Sequence, residues 1–191
     1  MPVEIRCSEF DQFVGIIRKV ALDLSRERYL IAGPCGIGKT TLGKLLSQKL
    51  NIRFIDHDEM KGRVNLSPSP CSASRLRLDD CLREILDLEG HPNAFVFAIG
   101  GDSIFRPSAD NNDRLVQLLH AKEKYGFIVS VLTAEKNILK HRFLQIKGRK
   151  EHEFPEIWEN WKNVEEPNWE KCADCFVETS ELILNHEIRR A

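Results

Sequence analysis

The sequence has no excess of charge of either sign. Its 28 lysine and arginine residues are matched by 29 aspartate and glutamate residues, which leaves a net charge of -1. Proteins that hold a nucleic-acid backbone without reading its sequence need a basic surface, so we expect no nucleic-acid partner. Hydrophobic residues make up 42% and charged residues 30% of the chain, which is typical of a globular protein and argues against disorder.

Long apolar runs are also missing. No stretch approaches the roughly 20 apolar residues that a membrane helix needs, and the longest run, residues 94–101, has the length of a strand. The N-terminus lacks a basic start followed by an apolar core, so no secretory signal is expected. The six scattered cysteines are then expected to be free thiols. These absences predict a soluble cytoplasmic protein without a membrane partner.

What is present is an alternation of apolar, strand-like runs with segments of helical period. It predicts an α/β domain with a parallel sheet and helices on both faces. The predicted strands are residues 29–32, 52–55, 94–99, 127–132 and 175–179. The predicted helices are residues 40–50, 72–89, 108–124 and 134–146. The length of 191 residues predicts a single domain, residues 1–191.

Two segments stand outside this alternation. Residues 1–27 are predicted to be an N-terminal helical extension, with a helix at about residues 8–25 that packs on the sheet. Residues 147–169 are rich in charge and contain all three tryptophans. A segment of approximately this range is therefore a candidate lid. We expect the tryptophans to anchor the lid in the hydrophobic core; an aromatic clamp over a substrate is the alternative.

The clearest motif lies between the first predicted strand and the helix that follows it. Its residues are Gly33-Pro34-Cys35-Gly36-Ile37-Gly38-Lys39-Thr40. They fit G-x-x-x-x-G-K-[ST], a phosphate-binding loop whose glycines let backbone N–H groups curl around phosphate oxygens at a helix N-terminus. Lys39 is expected to reach the β- and γ-phosphates, and the Thr40 hydroxyl to ligate Mg²⁺. The motif therefore predicts that these residues and Thr41 bind a nucleotide, with Cys35 as a small loop residue and not a nucleophile.

Two acids follow the second predicted strand. Asp56 and Asp58 would lie at the carboxyl edge of the sheet, where ligands bind in open α/β folds. One acid can hold Mg²⁺ through water and the other can accept a proton from an attacking hydroxyl; a solvated strand end is the alternative. His57 between them points the other way in an extended chain, and we expect it to be structural. The reaction is still open, although the missing guanine-reading N-K-x-D string argues against a GTPase.

Taken together, these motifs resemble those of the shikimate kinase family, a group of P-loop kinases related to the nucleoside-monophosphate kinases. The resemblance covers about residues 29–180 and rests mainly on the phosphate loop and on the D-x-D of residues 56–58. The stretch before the last strand, residues 169–174, supports it. Further support comes from Gly100-Gly101-Asp102 in place of a glycine triplet, and from Arg142 and Arg149 at the spacing of the family's adenine-side and lid arginines.

The resemblance implies a three-layer P-loop NTPase fold, with a five-stranded parallel sheet in the order 2-3-1-4-5 and a lid. It also implies transfer of the γ-phosphate of ATP to a hydroxyl group of a small molecule. By this analogy Lys39 and Arg149 stabilise the transferring phosphoryl group. Thr40 and Asp56 hold Mg²⁺, and Arg142 packs against adenine.

The acceptor side follows the family less closely. By the same analogy Asp58 takes the proton of the acceptor hydroxyl, and residues 100–102 line the acceptor. The family grips a carboxylate with arginines, but Asp79 and Glu165 stand at the matching positions. Such carboxylates would repel an anion, so we predict a neutral polyhydroxy or amino-bearing acceptor and not shikimate.

Several alternatives stay open. An alignment shifted by two residues would bring Arg77 into the acceptor site and favour a carboxylate. A separate alternative is that Asp79 and Glu165 face solvent. A nucleoside or nucleotide kinase would read its acceptor with arginines, for which Arg75, Arg77 and Arg83 are available. A non-catalytic ATP-binding module is the third possibility, against which the two acids after the second strand argue. We expect the protein to be a monomer or a weak dimer.

Overall fold

Within the described part of the chain, a sheet of six parallel strands forms the centre of the fold. The computed structural model describes residues 3–6, 10–24, 27–57, 94–99, 104–105, 107, 110–145, 148 and 150–180. The strands are β1 (Val3–Arg6), β2 (Arg28–Ala32), β3 (Arg53–Asp56), β4 (Phe95–Ala98), β5 (Phe127–Thr133) and β6 (Cys175–Glu178). Their order across the sheet is β1-β6-β5-β2-β4-β3, and every neighbouring pair is parallel.

The five predicted strands are all present, and their order confirms the 2-3-1-4-5 arrangement. From one side of the sheet they are β3, β4, β2, β5 and β6. The N-terminal extension needs one correction, because residues 1–27 are not only helical. β1 lies at the edge of the described sheet and pairs with β6, from Val3 opposite Cys175 to Arg6 opposite Glu178. Such a short strand gives too little alternation to be predicted, and its formation depends on the exposed main chain of β6.

The described helices largely match the predicted ones. They are α1 (Phe10–Leu24), α2 (Lys39–Leu50), α3 (Asn111–Tyr125), α4 (Lys136–Gln145), α5 (Phe154–Asn160) and α6 (Glu166–Trp169). α3 begins later than predicted because Asp110 caps it, with a carboxylate oxygen that accepts the N–H groups of Asn112 and Asp113 at 3.1 Å. The predicted helix at residues 72–89 lies outside the described residues. None of the helices in the described ranges is long and apolar enough to cross a membrane.

Both faces of the sheet are buried, which explains why the central strands are continuous apolar runs. Along β2, Leu30 and Ala32 belong to one apolar cluster, and Tyr29 and Ile31 belong to the other. The first cluster includes side chains of α3 and of the helical segment before β6. The second includes side chains of α1, α2 and α4. The fold therefore has three layers, and α1 packs on the sheet as predicted.

Residues 151–169 form one continuous helical segment. A 3-10 turn (Glu151–Glu153) precedes α5, and a π turn (Trp161–Glu165) joins α5 to α6. In the π turn the N–H of Glu166 donates to the carbonyl of Trp161. Pro167 follows directly and has no N–H, so regular helical bonding is interrupted at this point. The π turn was not predicted from the sequence. We attribute it to Pro167, which cannot continue the helical hydrogen bonding.

Two of the three tryptophans of this segment lie in the core. Trp161 is 2% exposed and Trp169 is 1% exposed, and Phe154 at the start of α5 is equally buried. This burial agrees with the expected anchoring role for Trp161 and Trp169, whereas Trp158 is partly buried and packs against the core. A lid at residues 147–169 stays a prediction, and we expect any movement to lie in the residues before Phe154.

Candidate active site

The loop between β2 and α2 has the backbone shape of a phosphate-binding loop. Gly33 has a φ of 141° and Gly36 a φ of 83°, and both values lie in the region that favours glycine. A Cβ on Gly33 would lie 2.6 Å from the backbone oxygen of Leu132, and a Cβ on Gly36 would lie 3.4 Å from the Cα of Phe143. The loop is therefore held between the end of β5 and the side of α4.

The N-terminus of α2 opens into this loop. Lys39, Thr40 and Thr41 form its first turn, and the N-cap residue Gly38 provides no side-chain cap. The first backbone N–H groups of a helix have no partner within the helix, and the positive end of the helix dipole lies in the same place. A phosphate oxygen at this position would accept those N–H groups. The predicted loop residues are thus brought together in an arrangement that suits an anion.

Lys39 lies over the loop. Its ammonium donates to the carbonyl oxygens of Gly33 and Pro34, at 2.8 and 2.9 Å. These are neutral acceptors, and a phosphate oxygen accepts a stronger, charge-assisted hydrogen bond. Lys39 is therefore held where it can exchange loop carbonyls for the phosphates of a bound nucleotide.

Thr40 and Asp56 meet at the carboxyl edge of the sheet. The Thr40 hydroxyl donates to a carboxylate oxygen of Asp56 at 2.9 Å. Asp56 is the last residue of β3, pairs with Ala98 of β4, and is 9% exposed. The sequence analysis proposed these two residues as Mg²⁺ ligands. The structure brings their oxygen atoms together, and such hard oxygen ligands are those that Mg²⁺ prefers.

The remaining predicted residues of the acceptor and lid lie outside the described residues. They are Asp58, Gly100, Gly101, Asp102 and Arg149, and Asp79 lies there as well. The described ends of β3 and β4, which precede these stretches in the chain, lie at the same edge of the sheet as the phosphate loop. Their roles stay predictions.

Arg142 is buried and not solvated. It is 1% exposed, and its guanidinium donates to the carbonyl oxygens of Thr179 and Ser180, at 3.1 and 3.2 Å. Both carbonyls belong to the chain that leaves β6. The guanidinium is therefore held by the protein backbone, and packing of Arg142 against adenine stays a prediction.

Glu165 is buried as well. It is 4% exposed, and one of its carboxylate oxygens accepts the side-chain N–H of Asn160 at 2.7 Å. The two residues lie at opposite ends of the π turn, which brings their side chains to one face. The alternative that Glu165 faces solvent is therefore wrong, because the π turn directs the side chain inward.

His57 and the cysteines have structural surroundings. His57 is buried, and its ring meets the ring of Phe97 edge-on at 6.0 Å. Cys172 and Cys175 form a C-x-x-C pattern, but burial raises the pKa of the Cys172 thiol to about 12 and also raises the pKa of Cys175. Thiols with such pKa values are poor nucleophiles and poor metal ligands. Among the described residues no group of three or more metal-binding side chains occurs.

The sequence analysis missed the residues that hold Arg142. Thr179 and Ser180 follow the last strand directly, at the edge of the sheet where the phosphate loop lies. Two small hydroxyl residues at the end of an apolar strand were the available signal. Strand ends of this kind commonly border ligands in open α/β sheets.

The fold and this edge of the sheet define a P-loop kinase of the nucleoside-monophosphate-kinase-like group. A family model described as shikimate kinase matches residues 35–68. A shikimate kinase of Psychrobacter sp. (strain PRwf-1) is 30% identical over 159 residues, which are 79% of this chain and 82% of that protein. The pentafunctional AROM polypeptide of Schizosaccharomyces japonicus is 30% identical over 99 residues, which are 49% of this chain and 6% of that protein.

Solved structures agree on the fold. The shikimate kinase from Acinetobacter baumannii in complex with shikimate has a TM-score of 0.56 at 21% identity, over 90% of this chain and 95% of that one. The chain belongs to the shikimate kinase family. It is an ATP-dependent kinase that phosphorylates a hydroxyl group of a small molecule.

Proposed function

We propose that this kinase uses Mg²⁺ with ATP and phosphorylates a neutral polyhydroxy or amino-bearing acceptor. The carboxylate of Glu165, which is buried, carries this proposal, because the family resemblance implies an arginine that grips a carboxylate-bearing acceptor at this position. The name of the Psychrobacter relative favours shikimate as the competing acceptor. The experiment below separates the two.

On the donor side, Thr40 and Asp56 would hold Mg²⁺. Their oxygen atoms are 2.9 Å apart, both are hard ligands, and ATP provides the further oxygens that the ion needs. When bound, the ion supplies charge neutralisation between the β- and γ-phosphates. Lys39, which two carbonyls hold over the loop, would contact the γ-phosphate. Arg149 would contact the same phosphate from the lid.

On the acceptor side, Asp58 would accept the proton of the attacking hydroxyl. It follows β3 by two residues, and the Asp56 carboxylate at the end of β3 is engaged by Thr40. The two acids would then have different roles, with Asp56 on the metal and Asp58 on the acceptor. Gly100, Gly101 and Asp102, which follow β4, would border the acceptor.

Glu165 supports an acceptor without negative charge. Its carboxylate is buried and accepts a hydrogen bond from Asn160. An anion placed beside a buried carboxylate is poorly hydrated and repelled, which is costly. A neutral hydroxyl compound would not be repelled by this charge, and an ammonium group would be attracted to it.

The proposal is tested with Glu165→Gln, which keeps the size of the side chain and removes its charge. We expect kcat/KM for amino-bearing acceptors to fall about tenfold, because the attraction between the ammonium group and the buried charge is lost. The matched control is Glu170→Gln, because Glu170 directly follows α6 and is exposed. Removal of an exposed charge contributes little, so its kinetics should not change.

Two results would contradict the proposal. One is a wild-type protein that prefers shikimate over neutral and amino sugars. The other is equal loss of activity in the Glu165 and Glu170 variants, which would show that charge at position 165 has no specific role. Melting curves of both variants separate loss of recognition from loss of folding.

We also propose a cytoplasmic location, a monomer or weak dimer, and no nucleic-acid partner. Cys35, Cys172 and Cys175 are free thiols, which suits a reducing compartment. The balanced charge of the chain supplies no basic surface for nucleic acid. Light scattering in solution tests the oligomeric state.

A further inference from the structure

A network of hydrogen bonds joins the ends of β5 and β6 to α4. The backbone N–H and the hydroxyl of Thr179 both donate to the carbonyl of Thr133, at 2.9 and 3.0 Å. The N–H of Glu135, just before α4, donates to the Ser180 hydroxyl at 3.0 Å. The Ser180 N–H donates to the Glu178 carboxylate at 2.9 Å. The chain that leaves β6 is therefore fixed against β5 and against the start of α4.

Arg142 closes this network from the last turn of α4. Its guanidinium donates to the carbonyls of Thr179 and Ser180 from 37 and 38 residues away in sequence. At 1% exposure it offers almost no surface to a ligand. A buried guanidinium is stable only when protein groups satisfy its donors. These bonds are consequently expected to persist when a nucleotide binds.

The residue next to Arg142 supports the phosphate loop. A Cβ on Gly36 would lie 3.4 Å from the Cα and 3.5 Å from the N of Phe143. Phe143 is fully buried in the same apolar cluster as Ile37 of the loop. One side of α4 is thus bonded to the end of β6, and an adjacent part of it is packed on the loop. A shift of α4 would move the support of the loop.

We propose that Arg142 is a positioning residue for the phosphate loop and not a contact of the adenine base. It ties α4 to the chain after β6, and α4 holds the loop through Phe143. The inference rests on ATP binding by the loop. Its consequence is that Arg142 affects the affinity for the phosphate chain, whichever base the nucleotide carries.

The test compares ligands that share phosphates and differ in the base. Dissociation constants of ATP, GTP and inorganic tripolyphosphate are measured by calorimetry for the wild type and for Arg142→Lys and Arg142→Met. We expect all three constants to rise by the same factor, about tenfold, with the lysine variant no better than the methionine variant, because lysine lacks the guanidinium fork.

Lys140→Met is the matched control. Lys140 lies on the same helix and carries the same charge, but its partner Glu151 is exposed and its own side chain is 41% exposed. Its loss should leave all three constants unchanged. Ser180→Ala provides a second variant that keeps Arg142 in place. It removes the hydroxyl that accepts the Glu135 N–H, and we expect a smaller but again equal rise for all three ligands.

The measured constants distinguish a positioning role of Arg142 from a contact with the base. A rise for ATP alone, or for ATP and GTP with tripolyphosphate unchanged, would make Arg142 a base contact and overturn the proposal. Unchanged constants in folded Arg142 variants would overturn it as well. If Arg142→Met does not fold, Ser180→Ala decides the question. An equal rise of its three dissociation constants supports the proposal, and an unequal rise contradicts it. A wild-type protein that binds none of the three ligands would contradict the nucleotide function itself, which distinguishes the two failures.

Discussion

Lys39 places a positive charge where the transferred phosphoryl group would gather negative charge. Two loop carbonyls hold its ammonium, at 2.8 and 2.9 Å, so the group lies beside the loop before any ligand arrives. When phosphate binds, the ammonium would exchange these bonds for stronger, charge-assisted ones and so stabilise the transition state. The position of Lys39 beside the loop could be predicted from the sequence motif alone, because the motif fixes the number of residues between the loop glycines and the lysine.

Lys39→Ala should lower the turnover of phosphoryl transfer by roughly 10² or more, the scale of removing one preorganised stabilising group. Steady-state kinetics with ATP measure the change. Lys49→Ala is the control, because Lys49 lies at the other end of α2 and pairs with Asp11 at the surface. Turnover near that of the wild type in Lys39→Ala would contradict the role assigned to the loop.

Single residues also show where sequence reasoning is limited. The meeting of Thr40 with Asp56 was predictable, because strand, turn and helix return the chain to one edge of the sheet. The burial of Arg142 was not, because an arginine on a short helix usually reaches solvent. Its partners follow β6, far away in sequence. Contacts of that range depend on the assembled sheet and leave no local pattern.

At the level of elements, burial decides what a sequence can predict. β2, β4 and β5 are covered on both faces, so each is a continuous apolar run with clear ends. β1 is a short edge strand that exists because β6 offers a free main-chain edge. The π turn of Trp161–Glu165 depends on Pro167 and on tertiary packing. Neither β1 nor the π turn produces a periodic hydrophobic pattern in the sequence.

The segment before β6 gives a prediction at this level. ATP should slow amide exchange and proteolysis at residues 147–153, if these residues close over the nucleotide. α5 and α6 should exchange slowly with and without ATP, because Trp161 and Trp169 hold them in the core. Amide exchange measured by mass spectrometry gives the rates for residues 147–153 and for α5 and α6, and a peptide from α1 is the control. Equal exchange of residues 147–153 in the two states would contradict the lid.

For the whole molecule, the donor and acceptor sides are specified in different ways. The donor side consists of a short loop and the strand end beside it, so a local motif was sufficient to predict it. The proposed acceptor side draws residues from several distant stretches, and of these only Glu165 lies among the described residues. Its buried carboxylate is the physical reason to expect an acceptor that differs from the one named for the relatives.

The most direct test of this account is an acceptor screen with the wild-type protein and ATP. ADP formation and the mass of the product are measured for shikimate, neutral sugars, amino sugars and nucleosides. The account predicts a phosphorylated product from a neutral or amino-bearing acceptor and little from shikimate. Efficient phosphorylation of shikimate, lost in Arg77→Ala, would contradict it and would show that an arginine, and not Glu165, faces the acceptor.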